Sequence, residues 1–508
     1  LEQEIVIASC SVKFLWFSWW DKKLQDKRRL VREMNSTYYI PRIVTAALKG
    51  GAGKTLISIG IIAALRNRGY RVAAFKKGPD YIDAAWLGLA AGGRCFNLDR
   101  YLFDVSVIRS SFEINTMGRQ VAVVEGNRGL FDGVDARGTY STADLARILD
   151  APVLLIIDAT KVTRTASAMV LGCRLMESGL CIGGVILNRV AGARHRKILT
   201  EAIEKDAAIP VIGSLEKLAW ANLPQRHLGV LPLYEHPDSL QFLREVSHMI
   251  EQSIDLDSLM TMARSAPQLQ SSHCSHRSFL TSCVSPERLK IGVIRDSAFQ
   301  FYYPENLDAL RSQGAHLIEI SSLKPAELPD VHALYIGGGF PETHALQLAR
   351  NDTFKTSLRK AVEEGLPVYA ECGGLMYLCE SLRMDDETYP MANIIAFHAT
   401  LHRKPQGLGY VTVQVAEPNP FYAVNTILTG HEFHYSSISP SDNQHGRYAF
   451  RVVRGHGIDG KNDGIVYRNV LATYVHVHAA GEPKWATGLM EAAYRFLLGR
   501  DHRSLTVQ

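Results

Sequence analysis

The sequence lacks the marks of several common protein classes. Its eight cysteines, at positions 10, 95, 173, 181, 274, 283, 372 and 379, form no Cys-x-x-Cys pair. Neither a zinc site nor a disulfide framework is indicated, and a reduced, cytoplasmic setting is expected. No apolar run approaches the roughly 20 residues that span a bilayer, so no membrane partner is expected. The 56 Lys and Arg barely exceed the 51 Asp and Glu, leaving a net charge of +5. That small excess suits anionic small substrates better than nucleic acid, which usually meets a clustered basic face. The strict phosphate-loop pattern is also incomplete, because Leu48 stands where it wants glycine.

What is present reads as an ordinary globular protein. Hydrophobic residues make up 46% of the chain and charged residues 21%. A chain of 508 residues has room for roughly two to four domains with cores of their own. Residues 1–36 differ from the rest: Phe14 to Trp20 is aromatic and Lys22 to Arg32 is basic. That order inverts a signal peptide, whose charge comes first. Translation starting at Met34, with 1–33 a non-native extension, is the expectation.

The organising stretch is Lys49-Gly50-Gly51-Ala52-Gly53-Lys54-Thr55. An apolar run, Ile43 to Leu48, precedes it, and a helical pattern from Leu56 to Arg68 follows. Strand, glycine turn and helix together can turn backbone N–H groups toward phosphates. Lys54 would reach the outer phosphates of ATP, and the Thr55 hydroxyl would bind Mg²⁺.

Further apolar runs end in polar residues. Arg71 to Lys76 leads into Lys77-Gly78-Pro79-Asp80-Tyr81-Ile82-Asp83. Two carboxylates three apart suit either metal-bound waters and substrate, or a solvated turn. Val121 to Val124 runs into Glu125, the usual position of a second Mg²⁺ contact. Gly184 to Leu187 ends at Asn188, suited equally to adenine or to capping. Strands alternating with helices predict a mostly parallel, doubly wound α/β sheet here, and a second doubly wound α/β domain later in the chain.

The Lys49-type loop resembles that of the partitioning and dethiobiotin-synthetase-like ATPases. With Phe75 to Asp83, Asn97-Leu98-Asp99, Gly129-Leu130-Phe131-Asp132-Gly133 and Leu223 to Gly229 in that order, the chain resembles the cobyrinate a,c-diamide synthase family. The resemblance implies an ATP-dependent synthetase domain that activates tetrapyrrole carboxylates. By motif, Lys49, Gly50, Gly51, Gly53, Lys54, Thr55 and Asn188 serve the nucleotide. Thr55 and Glu125 serve the metal, and Lys76, Asp80, Asp83 and Asp132 serve the substrate and phosphoryl transfer.

Periodicity fades from about Ser253 to Pro286, and Ser271 to Ser278 is small and polar. Cys274 with His273 and His276 makes a poor tetrahedral metal site, so a linker is expected. The expected plan is an extension at 1–36, a phosphate-loop domain at 37–252, a linker at 253–287 and a second domain at 288–502.

In the second domain, Ala333 to Ile336 ends in Gly337-Gly338-Gly339. Leu366 to Ala370 ends in Glu371-Cys372-Gly373-Gly374. Strand, sharp turn and helix place Cys372 at an exposed corner, where a helix N-terminus favours thiolate. Backbone N–H groups at Gly338, Gly339 and Gly373 could form an oxyanion hole. A strand is expected over 466–477, and alternation puts His476 and His478 on one face, so either could serve as base. With Gly430 to Ser436 upstream, the domain resembles the class I glutamine amidotransferases of the cobyrinate and cobyric acid synthase branch, which makes His476 the base. Many class I glutaminases carry Glu two residues after that histidine. Position 478 is His, so no third member of a triad can be named.

The expected reaction is amidation of the a- and c-acetates of a tetrapyrrole by way of an acyl phosphate and glutamine-derived ammonia. Cobyrinate is the expected macrocycle; sirohaem or nickel-sirohydrochlorin are alternatives, and a partitioning-type ATPase switch is a more distant one. Tetrapyrrole, ATP and glutamine are then the partners, and a homodimer is left open.

Overall fold

The computed structural model describes residues 37–217, 225–226, 229–230, 233–236, 238–271, 289–441 and 446–505. The 1–36 extension, residues 272–288 with His273, Cys274 and His276, and part of the 223–229 motif lie outside the described residues.

The first core is a seven-stranded sheet. Its strands are β1 (Arg42–Ala47), β2 (Val72–Lys77), β3 (Cys95–Leu98), β4 (Val121–Glu125), β5 (Val153–Asp158), β6 (Ile182–Val190) and β7 (Val211–Glu216). The order is β3-β2-β4-β1-β5-β6-β7, and every pairing is parallel. Strands β1 to β4 are buried along their whole length. This is why they read as apolar runs rather than alternating ones. Helices cover both faces. On one lie α1 (Lys54–Asn67), α2 (Ile82–Ala91), α7 (Ser239–Ser253) and α8 (Leu256–Arg264). On the other lie α3 (Val105–Thr116), α4 (Thr142–Ile148), α5 (Thr165–Met176) and α6 (Ala193–Ala207). Strand β1 sits between β4 and β5, where the strand order reverses, so the crevice for a ligand opens at its C-terminal end. The glycine loop 48–53 occupies that end.

Helix α8 corrects the expected linker. Leu256, Leu259, Met260 and Ala263 recur at helical spacing and are buried in the first core, each large side chain contributing about 1.5–3 kcal/mol. Asp255 starts the helix by accepting from the Asp257 and Ser258 N–H groups. Thr37–Tyr38 then pairs with Leu269–Gln270, so the first domain closes well past residue 252.

The second core is a ten-stranded mixed sheet. Its strands are β8 (Lys290–Ile294), β9 (His316–Ile320), β10 (Ala333–Ile336), β11 (Val368–Glu371), β12 (Gly407–Val415), β13 (Ile427–His434), β14 (Tyr448–Arg454), β15 (Asn462–Tyr467), β16 (Val470–Thr473) and β17 (His476–Val477). The order is β9-β8-β10-β11-β16-β15-β14-β12-β13-β17. The first five are parallel and carry the α/β pattern. The other half is antiparallel, which a purely doubly wound reading does not include. Strands such as β12 alternate between buried and partly exposed positions, the mark of a sheet with one face in the core. Helices α9 (Pro304–Ser312) and α12 (Lys484–Leu505) lie on one face, and α10 (Asp352–Glu363) and α11 (Gly373–Leu378) on the other.

The stretch 466–477 is not one strand. It turns at Arg468, whose φ is 50°, pairs back on itself as Tyr467↔Val470, and breaks again at Tyr474. His476 and His478 therefore do not share a continuous strand face.

The two cores meet directly. Tyr410 on β12 donates to Asp99 at 2.5 Å and stacks on Tyr101 at 4.3 Å between centroids. The Tyr101 hydroxyl bonds that of Thr412 at 2.8 Å. Among the described residues no helix is long and apolar enough to cross a membrane.

Candidate active site

At the phosphate loop, Gly51 and Gly53 take φ of 73° and 91°, a left-handed geometry that favours glycine. A Cβ on Gly53 would come within 2.3 Å of the Asn188 amide. That amide donates to the Ala52 carbonyl at 2.8 Å, so Asn188 braces the loop from β6. Lys54 donates to the Arg128 carbonyl at 2.8 Å, and burial lowers its pKa despite the nearby Glu125. Lys49 is mostly exposed and lies 3.7 Å from Asp158.

Beneath the loop sits a charged cluster. Thr55 donates to Glu125 at 2.8 Å and reaches Asp83 at 3.2 Å. Lys76 contacts Asp83 at 2.7 Å and Glu125 at 3.2 Å. Burial would lower the Lys76 pKa, but the two carboxylates override it and raise it. Asp80 accepts the Asp83 N–H at 2.9 Å, so the pair three apart both starts α2 and enters the site. Burial and the Asp83 charge raise Asp80, whereas Lys76 overrides burial and lowers Asp83. Asp132 accepts from the Gly129 N–H at 2.8 Å. Asn97 donates to the Gly78 and Asp80 carbonyls, which explains its motif as a brace for the Asp80 loop.

Glu125 provides a test of metal fit. It is fully buried, burial raises its pKa, and its Oε2 has no hydrogen-bond partner. An orphaned carboxylate oxygen beside the Thr55 hydroxyl fits a divalent cation whose other ligands are water and phosphate oxygens.

The second centre is built on a strained turn. Cys372 follows β11 with φ 50° and ψ −101°, and such strain concentrates at functional sites. Against the expected exposed corner it is buried, its sulfur covered by the Phe433 carbonyl at 3.8 Å. Its N–H is held by the Thr473 carbonyl at 2.8 Å. His476 stands beside Cys372, near enough for the thiol to favour its charged form, and lies 3.3 Å through Nδ1 from Glu371 Oε2. Burial disfavours its charge, but these two contacts override it and lift its pKa to about 10. A Cβ on Gly338 would meet the His476 ring at 2.6 Å, and one on Gly373 would meet the Gly339 nitrogen at 3.0 Å. The two glycine turns thus pack against each other and the histidine. His478 points elsewhere: its Nδ1 accepts the Ala480 N–H at 3.1 Å, and its Nε2 lies 3.6 Å from Glu305.

The two centres open onto one cavity of about 600 Å³ between the domains. Asp80, Asp83 and Asp132 line it with the cations Lys77, Arg128 and Arg454, and so does His476. Tyr81 stands between the centres. Its ring stacks on Phe301 at 5.1 Å and lies 5.4 Å from His476.

Sequence reasoning missed Glu371, Tyr81, Arg128 and Arg454. For Glu371 a signal existed: an acid ending a wholly buried strand, the same pattern that picked out Glu125. Arg454 carried none, because only the antiparallel half of the second sheet brings β14 to the cavity.

Residues 43–230 match the CobQ/CobB/MinD/ParA nucleotide binding domain, and residues 290–484 match the CobB/CobQ-like glutamine amidotransferase domain. Fold and site together define a carbon–nitrogen ligase that takes its nitrogen from glutamine. A cobyrinate a,c-diamide synthase of Magnetococcus marinus is 40% identical over 88% of this chain and 96% of its own. Those of Archaeoglobus fulgidus and Dehalococcoides mccartyi are 39% and 38% identical, each over 90% of this chain and over 98% and 99% of their own. The chain belongs to the cobyrinate a,c-diamide synthase family.

Proposed function

We propose that this chain converts cobyrinate to cobyrinate a,c-diamide, using ATP and glutamine, in cobalamin biosynthesis. The observation that carries this reading is the shared cavity: acids of the phosphate-loop centre and the base of the thiol centre line the same space. Its three cations suit a macrocycle with several peripheral carboxylates.

An amide does not form from ammonia and a carboxylate at neutral pH, because they only exchange a proton. A substrate carboxylate oxygen therefore attacks the γ-phosphorus of ATP, and ADP leaves. Lys54 and the N–H groups of Gly50, Gly51 and Gly53 stabilise the transferring phosphoryl group. Thr55 and Glu125 would hold Mg²⁺, which when bound would neutralise phosphate charge. Lys76 fixes Asp83, and Asp80, Asp83 and Asp132 orient the substrate. Asn188 keeps the loop in shape beside the nucleotide, and Lys49, exposed at the start of the loop, contacts the nucleotide.

Cys372 sulfur attacks the side-chain amide carbon of glutamine. N–H groups at Gly338, Gly339 and Gly373 receive the oxyanion. His476 gives its proton to the departing ammonia and then takes one from the water that hydrolyses the thioester to glutamate. Ammonia's lone pair attacks the acyl phosphate carbonyl, phosphate leaves, and the amide loses a proton. Repetition at the second acetate gives the diamide. A cytoplasmic setting and a homodimer belong to the same proposal, the latter tested by sedimentation.

The test is to incubate the purified protein with cobyrinate, sirohaem or sirohydrochlorin, together with ATP, Mg²⁺ and glutamine, and weigh the products. Cobyrinate should gain two amides. Amidation of another macrocycle alone would overturn the substrate, and amidation of none would overturn the reading.

A further inference from the structure

We propose that Glu371 is the positioning residue for His476, supplying from the position just before the nucleophile the carboxylate that position 478 lacks. This rests on the glutaminase role argued for Cys372 and His476.

The placement follows from the sheet. Strand β11 pairs in parallel with β16, Glu371 opposite Thr473, so Glu371 lies beside the chain that leads to His476. The Glu371 and His476 side chains are 0% and 2% exposed. Glu371 Oε2 lies 3.3 Å from His476 Nδ1 and accepts the Tyr335 hydroxyl at 3.1 Å. Its Oε1 accepts the Val477 N–H at 3.4 Å. Both oxygens are thus tethered, one by the neighbouring strand β10 and one by the backbone next to the histidine.

Charge points the same way. Among the described residues, His476 is the only group that can carry positive charge within ion-pair distance of Glu371. A buried carboxylate without a cation is costly. The imidazolium formed when Cys372 gives up its proton supplies that cation. The contact also selects the tautomer: with the Nδ1 proton directed to Glu371, Nε2 is left for the thiol. His478 cannot do this work, since it faces Glu305.

The groups around the His476 ring are few. They are Cys372, Glu371, His431 stacked at 4.7 Å from β13, and Tyr81 at 5.4 Å from the first domain. Of these, Glu371 alone is an acid whose loss removes a negative charge while leaving the thiol. Without that charge the imidazolium becomes weaker-held, so the histidine loses its proton at lower pH.

The experiment measures glutamate release against pH in full-length Glu371→Gln, with ammonium-driven diamide synthesis as the control. The kcat for glutamine should fall at least about tenfold, with KM little changed. The alkaline limb of kcat/KM should move down by about one pH unit. Ammonium-driven synthesis should stay at the wild-type rate, and Glu371→Asp should recover part of kcat. An unmoved alkaline limb, or equal loss with ammonium, would overturn the proposal in favour of a structural strut. Should Glu371→Gln not fold, Tyr335→Phe removes one tether only. It should lower glutamine kcat about two- to fivefold and spare ammonium, and a wild-type glutamine rate would overturn the proposal. If the wild type itself releases no glutamate, the glutaminase reading fails instead.

Discussion

Asp83, beneath the phosphate loop, keeps a fifth of its side chain exposed to the cavity, and Asp463, behind the thiol centre, is fully buried; they titrate in opposite directions. Asp83 has Lys76 at 2.7 Å, and that cation overrides burial and lowers its pKa. Asp463 has neutral donors, the N–H groups of Gly464 and Tyr474 and the Thr473 hydroxyl, and burial pushes its pKa up to about 7. A cation beside the partly open Asp83, and none beside the fully buried Asp463, together decide which of the two is ionised at neutral pH. The contrast extends to the centres as wholes. The phosphate-loop centre keeps fixed charges of both signs around an orphaned Glu125 oxygen. The thiol centre has a strained cysteine, a histidine and one tethered carboxylate. One is arranged to hold phosphate charge, the other to move a proton.

The sharpest break comes from removing a loop cation. Lys54→Ala should lower diamide synthesis about 10³-fold with either glutamine or ammonium as donor, measured as product by mass spectrometry. Lys76→Met tests the buried pairing itself. It strands Asp83 and Glu125 without their cation and should cost about 3–5 kcal/mol of stability in denaturant unfolding. A stability loss below about 1 kcal/mol would mean that the cluster relaxes or protonates freely.

Asp463→Asn tests the other side of the comparison. A raised native pKa means the folded state holds a proton that the unfolded state has released. Stability from this group is therefore full below the ordinary carboxylate range and is lost as pH rises to about 7. Asn keeps the acceptor without the titration. The variant should gain on the order of 3 kcal/mol relative to wild type between pH 4 and 7, read from urea unfolding at several pH values. The smallest effect belongs to the domain contact. Tyr410→Phe loses the hydroxyl on Asp99 and should cost about 1–2 kcal/mol, with both half-reactions within about twofold.

Much of this was legible from local chemistry. The phosphate loop, the Asp80–Asp83 pair, Glu125 and the Cys372 turn each lie where a buried strand ends, a place that apolar runs and glycines mark in the sequence. Helix α8 was not seen, because nine residues of amphipathic pattern inside a polar stretch look like spacer until Leu259 and Met260 are placed in a core. The pairing of His476 with Glu371 was not seen, because it depends on the alignment of β11 with β16 across about a hundred residues of chain. His478 was left open by an expected alternation that the turn at Arg468 and the break at Tyr474 do not provide. Arg454 reaches the cavity from the second domain, and no spacing in the chain records that.

The central claim is a division of labour: nitrogen is released at Cys372 and consumed above Thr55. It is tested most directly in Cys372→Ser, by weighing the products formed from cobyrinate and ATP with glutamine alone or with high ammonium alone. The account predicts no amide from glutamine and near wild-type diamide from ammonium. Equal loss with both donors would contradict it.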